Sequence, residues 1–110
     1  MADTFKVLGQ LNPSATTLTD LYTVPALTQT VISSIIVCNT SSSSTTFRVA
    51  IAVAGVGDNI KQYLYRDVTC PGNDTFVATI GVTLAATDVV RVYAGNTNLV
   101  FQVLGDELTA

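Results

Sequence analysis

Histidine is absent from the 110 residues, and with it the commonest general base and the commonest metal ligand. No Ser-His-Asp or Cys-His constellation can be built without it. Two cysteines, Cys38 and Cys70, do not make a zinc site on their own. There is no glycine-rich phosphate loop, because "GVGDN" (55–59) lacks the spacing, the lysine and the following helix. Charge is also scarce: 12% of residues, against about a quarter in an ordinary domain. The five basic residues, Lys6, Arg48, Lys61, Arg66 and Arg91, are scattered singly and the net charge is −3. That balance offers no basic patch to a nucleic acid or an anionic membrane, and neither is expected as a partner. No apolar run is long enough to span a bilayer as a helix. The opening "MADTFKVLGQ" has no basic segment followed by an apolar one, so no signal peptide is expected.

What remains for catalysis is eight carboxylates: Asp3, Asp20, Asp58, Asp67, Asp74, Asp88, Asp106 and Glu107. Most fall at strand ends or turns, where an aspartate commonly accepts hydrogen bonds from turn backbone; Asp58, Asp74 and Asp88 fit that role. A glycosidase needs two facing acids in a cleft, and the neighbours Asp106 and Glu107 are poor material for it. If two turns meet, Asp58, Asn59, Asn73 and Asp74 would offer oxygen ligands to calcium. The residues read as those of a non-enzyme without a cofactor or a metal.

Against these shortages, 48% of the chain is hydrophobic. A domain of this length buries only about two thirds of the surface its unfolded chain exposes. The surplus points to an apolar patch on the surface, and such patches mark contacts between proteins. The alternative for the same composition is that alanines and valines lie singly on the exterior.

Period-2 patterns dominate, with no heptad and no internal repeat. Eight short strands are read at 4–9, 18–25, 30–39, 45–55, 60–69, 74–84, 88–94 and 98–106. Turn signals separate them: "NPSATT", "NTSSSS", "GVGDN", "CPGND", "LAATD" and "AGNTN". This spacing predicts one all-β domain over 1–110, an antiparallel β-sandwich of the jelly-roll or immunoglobulin-like kind. The segment 30–39 is apolar on both phases, as in a strand covered on both faces. In 45–55, Phe47, Val49, Ile51 and Val53 are expected inside, with Ala50 and Ala52 leaving room on the other face. In 60–69, Leu64 and Val68 take one face, and Tyr63 and Tyr65 share the other. The Ser/Thr run 40–46 reads as a flexible hairpin loop, or as a hydroxyl-rich contact surface.

Tyrosine suits interfaces, since its ring is apolar and its hydroxyl stays wet. Tyr63, Tyr65, Tyr93 and Arg91 are therefore the interface candidates; an exposed Tyr63/Tyr65 pair would alternatively stack on sugar. Cys38 is expected buried. Cys70, beside the turn "PGND", is expected exposed and a candidate for a disulfide between chains.

The segments 5–55, 62–76 and 81–95, with "TDLYTVP", "SSIIVCN", "TTFRVAIA" and "TLAATDVVRVYA" in that order, resemble a group of small virion structural proteins of tailed phages, notably of cyanophages. The last segment is also similar to the start of a strand in many trimeric jelly rolls, with Thr87 where those carry glycine. The resemblance implies a particle component without a catalytic site, made in the host cytoplasm and released by lysis. The apolar surplus and this resemblance together point to self-association, as a homotrimer, and to contact with other virion proteins. The expected place is the tail periphery, as a fibre or baseplate module. The alternatives are a protein cementing the capsid and an adhesion module for a host receptor or surface glycan.

Overall fold

In a computed structural model, which describes residues 2–109, the chain forms eight strands. They are β1 (Ala2–Leu11), β2 (Thr19–Thr23), β3 (Thr28–Asn39), β4 (Thr45–Ala52), β5 (Tyr63–Cys70), β6 (Thr75–Leu84), β7 (Val89–Ala94) and β8 (Leu99–Thr109). Two antiparallel sheets result, ordered β1-β8-β3-β6 and β2-β7-β4-β5. In both, β1 pairs with β8, β2 with β7, β3 with β6 and β4 with β5. That is one long antiparallel ribbon rolled up on itself, and β8–β3 and β7–β4 ladders close it. The expected sandwich is present, and its strand order is that of a jelly roll.

The core lies between the sheets. Phe47 of β4 stands 5.0 Å from Phe76 of β6 and 6.3 Å from Phe101 of β8, ring centre to ring centre. Tilted aromatic contacts of this kind link one layer to the other. Ile32, Ile35, Val37, Val49, Val90, Val92, Leu99 and Val103 complete the layer, each fully enclosed. The inner faces alternate as the sequence pattern demands. β8 runs to Thr109, so Glu107 lies on an inward position beyond the expected strand end.

Four expectations need correction. Phe47 and Val49 point inward, but Val53 is 63% exposed. β4 ends at Ala52 because Ala54 and Gly55 take left-handed backbone (φ 55 and 69), which turns the chain away from the sheet. Leu64 lies outside, not in the core. β3 is covered on one face only: Ile32, Ile35 and Val37 are buried, whereas Val31, Ile36 and Cys38 alternate with them on the outer face. The Ser/Thr run is pinned, not loose. Asn39, itself buried, donates from Nδ2 to the Ser43 and Cys70 carbonyls at 2.8 and 3.2 Å and accepts from the Ser41 amide at 3.0 Å. Gly72 packs so closely on Ser42 that any side chain there would strike the Ser42 backbone.

Strain is stored in the turn before β7. Thr87 has φ 72, a left-handed conformation that costs a β-branched residue about 1–2 kcal/mol. The turn is held because the Asp88 carboxylate accepts from the Ala85 and Ala54 amides, both at 2.9 Å. Thr87→Gly is expected to stabilise the fold by about 1 kcal/mol, raising the thermal midpoint by roughly 5 °C. Calorimetry checks this; an unchanged or lower midpoint would mean the turn carries no strain.

Candidate functional site

Each sheet keeps one face for the core and turns the other outward. The two outer faces differ in chemistry, and that difference defines the candidate site.

On the outer face of the β2-β7-β4-β5 sheet, polar and aromatic side chains satisfy one another. Arg48 grips the Asp67 carboxylate with Nε at 2.7 Å and Nη2 at 3.3 Å, and its guanidinium lies 4.3 Å from the centre of the Tyr93 ring. The ladder pairs Arg48 with Tyr93, so this cation–π contact is a direct cross-strand pair. The ion pair holds Asp67 below the usual carboxylate range. Tyr63 donates to Asp58 at 2.9 Å, and Arg66 lies 5.4 Å from its ring centre. Arg91 reaches Asp20 at 2.9 Å, then donates to the Val56 carbonyl at 2.7 Å and the Gly55 carbonyl at 3.0 Å. Ala50, flanked in the ladder by Tyr63 and Arg91, is fully covered within the chain.

Tyr63, Tyr93 and Arg91 therefore lie on this face, half-buried and engaged inside the molecule. Tyr65 does not join them. Three residues of β4, from Phe47 to Val49, oppose four of β5, from Val68 to Tyr65, and within that bulge Asp67 has φ 55. A second shift sets Ala50 opposite Tyr63. Tyr65 consequently opposes inward Val49 and packs 5.1 Å from Phe76, while Tyr63 opposes outward Ala50. The two tyrosines do not share a face, and the expected stacking pair is split by β-bulges.

The outer face of the β1-β8-β3-β6 sheet carries exposed apolar side chains among threonine, serine and the hydrogen-bonded Gln10–Gln102 pair. Phe5 is 79% exposed, Val77 57% and Val7 46%. Half-buried Val31, Ile36, Leu104 and Cys38 lie on the same face, with Thr75, Thr79 and Thr83 along β6. Phe5, Val7, Val31, Ser33, Leu104 and Asp106 line a groove of about 570 Å³ across β1, β8 and β3. Lys6 and Asp106 are the charged residues that line it, and one Asp106 carboxylate oxygen is enclosed without a hydrogen-bond partner. Burial, together with the nearby Asp3 carboxyl, pushes Asp106 above the usual carboxylate range. The signal for this face was the second apolar phase of β3 together with Phe5 and Val7.

The cysteines exchange their expected places. Cys70 is fully buried at the end of β5, and burial pushes its thiol upward, which disfavours the reactive thiolate. It cannot serve as a link to another chain. Cys38 is the half-exposed one, and both are free thiols.

Among the described residues, no cluster of three or more cysteine, aspartate or glutamate side chains could hold a metal ion. Asp74 accepts from the Thr75 amide at 2.8 Å, as a turn aspartate does, whereas Asp58 accepts from Tyr63 rather than from backbone. The chain matches no protein-family model, and none of the curated proteins matches it.

One buried polar cluster ties the two sheets together. The Tyr22 hydroxyl of β2 donates to Glu107 of β8 and lies 2.8 Å from Thr30 Oγ1, and Lys6 reaches Glu107 at 2.9 Å. Hydrogen bonds from Tyr22 and Lys6 hold Glu107 below its ordinary value of 4.5. Burial, then the Glu107 contact, pushes Tyr22 up to about 12 from 10.0. The Glu107 contribution is complete above the ordinary value and is lost as pH falls through the lower folded one. That of Tyr22 is complete below 10.0 and is lost as pH rises through about 12. Glu107→Gln is expected to cost about 1–3 kcal/mol at neutral pH and to flatten the loss of stability on acidification. Urea unfolding from pH 3 to 7 checks both; a variant with the wild-type acid profile would remove Glu107 from the account.

Proposed function

We propose that the protein is a non-enzymatic structural component of a tailed-phage particle that assembles through the outer face of its β1-β8-β3-β6 sheet. The observation that carries this reading is the contrast between the two outer faces. One is closed by its own arginine, tyrosine and aspartate side chains. The other leaves Phe5, Val7 and Val77 in water around half-buried Val31, Ile36 and Leu104. A face of that kind is costly to hydrate at about 25 cal/mol per Å², and covering it with a neighbour recovers that free energy.

The sequence resemblance to small virion proteins of tailed phages supports the particle, and the tail periphery is the proposed place. The jelly roll is also used by viral shell proteins, which is analogy at the level of fold. Homotrimer formation follows from the same resemblance. A sugar-stacking role for Tyr63 and Tyr65 has less support, because the two rings lie on opposite sides of the sheet.

Two measurements test the proposal. Peptides of the protein should appear in mass spectra of purified particles, with its density at the tail in a reconstruction. The isolated protein should have the native mass of three chains. Phe5→Asp and Val77→Asp should each shift it towards monomer. Both positions are exposed, so fold stability should change by no more than about 0.5 kcal/mol. A wild-type monomer at micromolar concentration, or an assembly indifferent to both substitutions, would overturn the role of this face.

A further inference from the structure

Among the described residues, four strands form the edges of the two sheets: β1, β6, β2 and β5. An edge strand offers a row of free backbone donors and acceptors, and proteins blunt it with charge, proline, bulges or short length. Three of the four are blunted. β1 carries Asp3 and Lys6 and slips register between Val7 and Gly9. β2 has only five residues, Asp20 among them, and slips between Asp20 and Tyr22. β5 carries Arg66 and Asp67 and slips twice against β4. β6 differs. Its ten residues, Thr75–Leu84, include no charged residue and no proline. Its slip against β3 falls between Thr79 and Val82, so Thr75–Thr79 run in unbroken register along Cys38–Ser34.

The side chains along this free edge suit a particular neighbour. Thr75, Val77, Thr79, Gly81 and Thr83 are its exposed positions, and threonine and valine favour extended backbone. The run 75–79, Thr-Phe-Val-Ala-Thr, reads alike in both directions: threonine, apolar, valine, apolar, threonine. Antiparallel contact between two copies of one strand needs that symmetry, because residue i meets j where j meets i. With the two-fold axis at Val77, valine meets valine, Thr75 meets Thr79 of the second copy, and large Phe76 meets small Ala78. Threonine pairs and apolar pairs directly across strands are favourable. The nearest charged residue, Asp74, falls opposite Ile80 of the second copy. The two Asp74 carboxylates then lie at opposite ends of the ladder, and no like charges meet.

We infer that β6 of one chain pairs antiparallel with β6 of a second copy over Thr75–Thr79, joining two four-stranded sheets into one of eight strands. The contact goes beyond the proposed assembly face: the face builds the three-chain unit, and the edge links two such units. A two-fold contact does not close a ring of three, so the linked species has six chains. A ladder of five residues is a small contact, and the linked species is expected only at concentrations above those that form the unit.

Cross-linking tests the register. In a Cys38→Ser background the remaining thiol, Cys70, is buried. There Val77→Cys should form a two-chain disulfide under mild oxidation, since facing Cα atoms of an antiparallel pair stand about 4.5–5.5 Å apart. Thr75→Cys alone should not cross-link, and mixed with Thr79→Cys it should. Thr79→Lys places a charge at an exposed edge position. It should weaken the linkage of units about tenfold or more, measured by sedimentation over a concentration series, and leave the three-chain unit intact. Circular dichroism melts confirm that each variant is folded. Thr75→Cys linking to itself as readily as Val77→Cys, no cross-link in any arm, or a six-chain species indifferent to Thr79→Lys would overturn the inference. A protein that doubles without first forming the three-chain unit would remove the proposed face and leave this edge contact in place.

Discussion

Two layers of sheet have four faces, and only two of them can face each other. Every other feature of the molecule follows from that constraint. The inner faces are filled by valine, isoleucine and leucine around the Phe47, Phe76 and Phe101 rings, and the Tyr22–Thr30–Glu107–Lys6 cluster joins the layers where polar groups must be enclosed. A buried carboxylate is tolerable there because two donors meet it. The two remaining faces must each meet water or a neighbour, and a chain with few charges has little material for meeting water.

The chain treats those faces unequally. Arginine is concentrated on the second sheet, where two of the three guanidinium groups do two jobs. Arg48 binds Asp67 and covers Tyr93, and Arg91 binds Asp20 and fastens the 53–58 backbone. Exposed ion pairs of this kind add little stability individually. Their effect here is geometric, since they fix side chains that would otherwise be mobile. The first sheet has no arginine on its outer face, and its central strand β3 is apolar on both phases. The sequence therefore carries the asymmetry, as a matter of which strands receive charge.

The eight strands were legible because a sandwich enforces alternation, and the turns were legible from glycine, proline, asparagine and aspartate. Side-chain direction within β5 was not. A bulge inserts one residue and reverses every position beyond it, and neither Asp67 nor the shift at Tyr63 announces itself in a pattern of alternating letters. Doubly apolar β3 was read as a strand covered twice. Periodicity says that both phases are apolar; it does not say whether the second cover comes from the same chain. The neighbourhood of Cys70 likewise looked like an exposed turn, yet pairing of Thr45 with Cys70 and the clasp of Asn39 draw it inside. Long-range pairing decided these cases, and local sequence does not encode it.

The burial of Cys70 bears on how cohesion is achieved. Without an accessible thiol at that position, the cohesion proposed for the first sheet's outer face rests on its apolar area, and Cys38 is the free thiol that lies there. Such a contact is individually modest, and closure of a ring would multiply it, because the last contact is then intramolecular. Low charge would serve the proposed assembly in a second way. Few like charges oppose the approach of identical subunits, with a net charge of −3 over 110 residues. A chain with ordinary charge density would need more compensating pairs at every such contact. In the proposed assembly, scarcity of ionised groups and cohesion between copies are one property seen from two sides.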